Sequence, residues 1–248
     1  MNPSLTESSK EFWSARTHAN HRHSGDEWFK LYAEELLAFL PRGGRLLDVG
    51  CGACELTVHL APHYSELVAV DFSSSMLTEA TKRIQARGLT NLSVMEAEAV
   101  NLAAVPGKFD VILAFSVLQY LDQPSLEAHL RECLRVLNPD GTICWGQVPN
   151  DRLKWMLRLG LLRAPRPGWL QLARRAWDVW RTERATIRRH DNFWDGVGRW
   201  FDPRVIESVA ATHGLECVFR QNWYYEYRFH ATLRRPSGAT PVSAVASK

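Results

Sequence analysis

The 248-residue chain has 46% apolar and 23% charged residues and a net charge of +3, the balance of a globular protein rather than a fibrous or disordered one. It contains no run of 18 apolar residues that could span a membrane as a helix. The polar opening, MNPSLTESSKEFWSARTHANHRHSG, lacks the apolar core of a secretory signal, and the five cysteines form no disulfide-like framework. A cytoplasmic location is therefore expected.

Residues 26–40, DEWFKLYAEELLAFL, have helical apolar spacing and stop before Pro41 and Gly43–Gly44. RLLDV reads as a short buried strand, followed by a glycine loop and a helix through about His59–Ala61. LVAVD (67–71) is a second strand; the helix after it has Ser73 or Ser74 as N-cap and Gly88 as its stop. NLSVME (91–96) and FDVILAFSV (109–117) are the third and fourth strands. A helix over about Ser125–Leu137 leads to a Pro139–Asp140–Gly141 turn and a fifth strand, TICWGQV. This alternation predicts a mostly parallel α/β sheet with helices on both faces. Residues 151–200 break the rhythm with a helical pattern interrupted by Pro165, Pro167 and Gly168. DPRVIESVAATHG (202–214) is a helix, and 215–235 is expected to form two strands joined near Gln221–Asn222. The tail 236–248 is small, polar and proline-bearing, a composition expected to be disordered. The resulting organisation is an N-terminal cap (1–40), a core (41–150), a basic Trp-rich lid (151–200), a closing helix and strand pair (201–235), and the tail.

The stretch LLDVGCGACEL (46–56) admits three chemistries. Cys51 and Cys54 form a C-x-x-C, but a structural zinc site needs four ligands, and Cys133, Cys144 and Cys217 are dispersed. No metal is expected, and the two cysteines read as small residues filling a turn. A dinucleotide fingerprint needs a third glycine where Glu55 stands. Asp48, ending its strand, would face a pyrophosphate unfavourably and suits a ligand bearing an ammonium and a sulfonium.

From these residues onward, over about 30–150, the chain resembles the class I S-adenosylmethionine-dependent methyltransferases. LLDVGCG is similar to the family's first motif, VAVDFSSSML to its second strand, VMEAEAVNL to its third, FDVILAFSVLQYL to its fourth, and LRVLNPDGTI to its R-V-L-K-P-G-G turn. The resemblance implies a Rossmann-like seven-stranded sheet with a helical lid after the fifth strand, and S-adenosyl-L-methionine as cofactor, leaving as S-adenosyl-L-homocysteine. It assigns Asp48 to the methionine ammonium, Gly50, Cys51 and Gly52 to close backbone approach, and Asp71 to the ribose hydroxyls. Phe72 and Met76 become apolar contacts, Glu98 (with Glu96 as the competing register) and Ala99 adenine partners, and Phe115 and Ser116 neighbours of the cofactor. The family often has a third glycine where Cys54 stands.

Methyl transfer from a sulfonium needs alignment more than a catalytic constellation, and a base only when the acceptor must lose a proton. His190, Asp191 and Tyr120 are the candidate bases; His23, Tyr120, Arg188 and His190 are the candidate acceptor contacts. His18 and His21 fall in the same N-terminal segment, which reads more simply as polar chain than as a metal site.

Asp151–Arg189 contains eleven Lys or Arg against three Asp or Glu, together with four tryptophans. Trp169, Ala173, Ala176, Trp177 and Trp180 form one helical stripe. It suits a lid packed on the body with its arginines in water, arginines that pair with an anionic acceptor, a helix resting on an anionic membrane surface, or a nucleic-acid contact. The rest of the chain is net acidic and carries no RNA-binding motif, so a nucleic-acid partner is not expected. The expected acceptor is a small polar metabolite, anionic or sugar-containing, methylated on oxygen or nitrogen. The alternatives are a lipid-linked polysaccharide, RNA, or a non-catalytic module that binds the cofactor as a ligand. Nothing in the sequence sets an oligomeric state.

Overall fold

The computed structural model describes residues 25–162, 168–189 and 198–236. Helix α1 (Asp26–Leu37) precedes strand β1 (Arg45–Val49), which is followed by the short α2 (Thr57–Leu60) and β2 (Glu66–Asp71). Then come α3 (Ser74–Ala86), β3 (Leu92–Glu96), β4 (Phe109–Phe115), α4 (Gln123–Val136) and β5 (Leu137–Pro149). The remainder comprises α5 (Lys154–Leu159), α6 (Trp169–Arg189), α7 (Pro203–Thr212), β6 (Glu216–Gln221) and β7 (Arg228–Arg234). The seven strands make one sheet in the order β3-β2-β1-β4-β5-β7-β6. The first five are parallel, and β7 is antiparallel to both its neighbours.

Alternation along each strand separates two cores. Leu47, Val49, Val68, Val70, Ile112 and Ala114 face one layer with Leu126 and Leu130 of α4 and Ile206 of α7. Leu46, Leu67, Ala69, Val111 and Leu113 face the other, with Tyr32 and Leu36 of α1, Leu60 of α2 and Ala80 of α3. Strands buried on both faces are why these segments read as near-continuous apolar runs. The chain winds outward through β2 and β3, then returns to place β4 beside β1. That reversal opens a crevice at the carboxyl ends of β1 and β4.

Three boundaries differ from expectation. β4 ends at Phe115, two residues early, because Ser116 adopts a left-handed φ of 59°. The Pro139–Gly141 turn lies inside β5: Leu137 pairs with Phe109 and Thr142 with Val111, so three extra residues loop out of the ladder. The C-terminal strands are separated by residues 222–227. Asn222 Oδ1 accepts from the amides of Tyr224 and Tyr225, and Glu35 of α1 accepts from that of Trp223, so Asn222–Tyr227 forms a loop rather than strand.

The tryptophan stripe also departs from the packed-lid reading. Trp169, Trp177 and Trp180 of α6 are 77%, 60% and 45% exposed, and Leu170 is 64% exposed. The side turned inward carries Val179, and Arg175 donates to the Leu159 carbonyl at the end of α5. One narrow edge of α6 meets α5, which leaves the broad aromatic face in solvent.

Candidate functional site

The loop after β1 is built for close approach. Gly50 (φ 75°), Gly52 (φ 55°) and Cys54 (φ 57°) all take left-handed backbone, a conformation costly for a residue with a Cβ. Cys54 thus holds the glycine-like geometry of the position it fills. A Cβ on Gly50 would lie 2.5 Å from Val117 Cγ2, whereas one on Gly52 would meet nothing within 4 Å. Gly50 packs against Val117, two residues past the end of β4, and Gly52 faces open space. The amides of Gly50 and Cys51 donate to the Val70 carbonyl at 2.7 and 3.0 Å. The Gly52 amide donates to Asp71 Oδ2 at 2.9 Å and the Ser73 amide to Asp71 Oδ1 at 2.9 Å. Ser73 caps α3, its Oγ accepting from the Met76 amide. The neighbouring Cys54 thiol and burial raise the Cys51 thiol well above its ordinary range, so Cys51 is held as the protonated thiol.

Two buried carboxylates flank the loop. Asp48, next to last in β1, accepts from Thr57 Oγ1 at 2.5 Å. Burial, together with the Asp71 charge, pushes it up to about 7 against the pull of that hydrogen bond. Burial also raises Asp71, opposed by the Ser73 and Gly52 amides. Neither has a cationic partner among the described residues. Two desolvated carboxylates beside exposed loop backbone fit a ligand carrying positive charge and hydroxyl donors, and disfavour a phosphate. These residues therefore fit S-adenosylmethionine.

The third strand brings Glu96 opposite Asp71 in register, and Ala97 donates to the Asp71 carbonyl. Glu96 is exposed; Glu98 and Ala99 are half-buried in the turn that follows, where Glu98 bridges to Asn101. The buried His129 of α4, its basicity lowered by burial, fixes this turn by donating from Nδ1 to the Ala99 carbonyl at 2.8 Å. Phe72 is half-buried just beyond Asp71, and Met76 is buried in the first turn of α3. Phe115 is buried with Tyr32 and His230 beside it, and the Ser116 amide donates to the Gly146 carbonyl. Tyr120 is half-buried in the turn after β4. The structure thus gathers Asp48, Gly50, Cys51, Gly52, Asp71, Phe72 and Met76 at the ends of β1 and β2, with Ser116 near them at the end of β4. His23, His190 and Asp191 lie outside the described residues, as do His18 and His21; Arg188 is described only as part of α6.

Sequence reasoning missed a buried polar cluster between α1 and the C-terminal strand pair. Glu35 of α1 is fully buried; it accepts from Asn222 Nδ2 at 3.0 Å and the Trp223 amide at 2.5 Å, and lies 3.0 Å from His230 Nε2. The Gln147 backbone amide donates to His230 Nδ1 at 3.4 Å, and His230 Nε2 also lies 2.9 Å from Asn222 Nδ2. Tyr32 Oη donates to Tyr225 Oη at 3.1 Å. Arg228 is buried and donates to Gln119 Oε1 and the Gln147 carbonyl. A buried Glu in α1 was the one available signal, since its position falls on the apolar face of the helix.

Comparison with known proteins agrees with this geometry. The family model described as a methyltransferase domain matches residues 46–141. The chain is similar to the ubiquinone biosynthesis O-methyltransferase of Methylococcus capsulatus, at 28% identity over 118 residues covering 47% of this chain and 48% of that protein. It is also similar to the malonyl-[acyl-carrier protein] O-methyltransferase of Enterobacter lignolyticus, at 30% identity over 137 residues covering 54% and 52%. The chain spans about half the length of these curated relatives. In fold it resembles the magnesium protoporphyrin IX methyltransferase of Synechocystis PCC 6803 bound to SAH, with a TM-score of 0.60 and 14% identity, covering 94% of this chain and 100% of that one.

Proposed function

Residues 46–141 form a methyltransferase domain of the class I S-adenosylmethionine-dependent family, and from that premise we propose that this chain is an enzyme moving a methyl group to oxygen or nitrogen of a small polar acceptor. The observation that carries the reading is the pair of desolvated carboxylates, Asp48 and Asp71, on either side of the left-handed loop. In this reading Asp48 takes the ammonium of S-adenosyl-L-methionine, and Asp71 takes ribose hydroxyls with the lone pairs its two amide bonds leave. Glu98 and the Ala99 amide take the adenine, Phe72 and Met76 its apolar surface, and Cys51, Phe115 and Ser116 the near wall. The sulfonium supplies an already activated methyl carbon. The chain's task is then to exclude water and align the acceptor, which supplies roughly 7–11 kcal/mol of the barrier.

For a hydroxyl acceptor a positioned base adds about 10²–10⁴-fold. Tyr120, His190 and Asp191 are the candidates, with His23 and Arg188 on the acceptor. The N-terminal segment 1–40 and the insertion 151–200 close this side in our reading, and residues 236–248 take no part. The acceptor is anionic or sugar-containing. Five unpaired thiols accord with a cytoplasmic enzyme, and among the described residues no helix is long and apolar enough to cross a membrane.

A second reading draws on the solvent-facing tryptophans of α6: the acceptor is presented at an anionic membrane surface, as a lipid-linked polysaccharide would be. Incubating the protein and methyl-labelled S-adenosyl-L-methionine with native cell extract, followed by separation by class, tests both. Label in the small-molecule fraction supports the first and label in the lipid fraction the second. No label anywhere, with cofactor binding intact, overturns the enzyme reading in favour of a binding module.

A further inference from the structure

Three non-glycine residues among those described have left-handed backbone: Cys54, Ser116 and Gln147. They follow β1, end β4 and lie near the end of β5. Strained residues gathered this way point to a function. Gln147 is the one the cofactor reading leaves unused. It sits in a bulge, where Trp145 pairs with Ala231 and Val148 with Phe229, so Gly146 and Gln147 together oppose His230. Bulges beside active sites re-aim side chains. Gln147 is 3% exposed, and its Nε2 is buried with no hydrogen-bond partner among the described residues. Native structures seldom leave such a donor unused.

Beside it stands a guanidinium with donors to spare. Arg228 is 8% exposed. Of the five N–H donors a guanidinium carries, its described bonds use Nη1 alone, to the Gln147 carbonyl at 2.6 Å and Gln119 Oε1 at 2.9 Å. The rings of Tyr225 and Tyr227 lie 5.9 and 5.5 Å from its guanidinium carbon. No carboxylate pairs with it among the described residues, although a buried cation ordinarily has one. The cluster borders the cofactor loop: Gln119 lies two residues beyond Val117, which packs on Gly50, and the Ser116 amide bonds to the Gly146 carbonyl just before Gln147.

We propose that Arg228 and Gln147 form the subsite that reads a carboxylate on a ring-bearing acceptor. A carboxylate supplies the two acceptor oxygens that a guanidinium fork and an amide N–H₂ lack here, and the Tyr225 and Tyr227 rings that flank the guanidinium make its surroundings aromatic, which suits an acceptor bearing a flat ring. The guanidinium withdraws charge from that carboxylate and lowers its nucleophilicity. The carboxylate is therefore the handle, and the methylated oxygen or nitrogen lies elsewhere on the acceptor. This inference rests on the methyltransferase reading, because that reading makes the neighbouring loop the methyl-donor site.

The test uses the full chain saturated with S-adenosyl-L-homocysteine and titrated with benzoate, or with its neutral isostere benzamide, by NMR. Benzoate is expected to bind at least fivefold tighter than benzamide. Gln147→Leu, and Arg228→Lys, which keeps the charge but loses the fork, are expected to weaken benzoate at least fivefold while leaving S-adenosyl-L-homocysteine affinity within twofold. Benzoate that does not bind, binds no better than benzamide, or binds both variants as it binds the parent overturns the subsite. If S-adenosyl-L-homocysteine itself does not bind, the methyltransferase reading has failed instead.

Discussion

The Asp71 carboxylate accepts from the Gly52 amide at 2.9 Å, so the end of β2 holds the loop that follows β1. Its other oxygen accepts from Ser73, and one side chain thereby fixes both the loop and the start of α3. Asp71→Ala removes these anchors together with the proposed ribose contact. S-adenosyl-L-methionine affinity by calorimetry is expected to fall at least about tenfold; an unchanged affinity would remove Asp71 from the site.

The two loop glycines separate folding from binding. Gly50→Ala drives a methyl into Val117 at a left-handed φ, and is expected to cost at least about 2 kcal/mol in chemical denaturation. Gly52→Ala meets no protein atom within 4 Å, so its cost is the backbone term of about 1 kcal/mol. Its methyl enters the space assigned to ligand. Near-native stability with cofactor affinity lost is the expected signature, and intact affinity would contradict the assignment.

Asp48 makes stability depend on pH with a definite sign. Its carboxyl is raised to about 7 when folded, above the unfolded value of about 3.9. The folded state therefore holds the extra proton between those values, and the ligand-free protein loses stability as pH rises through that window. Asp48→Asn keeps an acceptor for Thr57 without the charge. It is expected to gain at least about 1 kcal/mol over the parent at pH 8, a gain that vanishes toward pH 4. A gain independent of pH, measured by denaturation across that range, would contradict the assignment.

Glu35 anchors α1 to the C-terminal hairpin through Asn222, Trp223 and His230. Glu35→Ala strands the buried Asn222 and His230 and the Trp223 amide, and is expected to cost about 3–5 kcal/mol. Glu35→Gln retains one acceptor oxygen and should recover part of that loss. Equal stability of the two variants in denaturant titrations would show that the cluster contributes nothing.

The outward tryptophans of α6 give the membrane reading its own test. Protein is expected to co-sediment with phosphatidylglycerol-containing vesicles and not with pure phosphatidylcholine. The pair Trp177→Ala and Trp180→Ala should reduce binding at least about tenfold, since their adjoining rings are solvent-facing. Equal binding by parent and variant, or none by either, removes the second reading.

The parallel core was legible because each of β1, β2 and β4 is a run of residues buried on both faces, and Asp48 and Asp71 stand out as carboxylates ending such runs. The glycine loop was legible because left-handed backbone selects glycine. By the same logic Ser116 and Gln147 were invisible: each takes that backbone without the residue type that announces it. Glu35 and His230 meet across 195 positions of chain; helical periodicity identifies the face Glu35 occupies but not its partner. The α6 stripe has the spacing of a core-facing helix, and only the narrowness of its contact with α5 shows that the aromatic face is left uncovered.

The bond between Glu35 and Asn222 also sets an order of assembly. Helix α1 is synthesised about 190 positions before the groups that receive its buried polar side chains, Asn222, Tyr225 and His230. Strands β1 to β5 can pair, and the apolar side of α1 can pack on them, while translation continues, but Glu35 stays without its partners until β6 and β7 have emerged. A nascent chain halted before Asn222 would hold a paired sheet beside a first helix whose Glu35 lacks its partners, and protease added at that stage would cut α1 more readily than in the full chain.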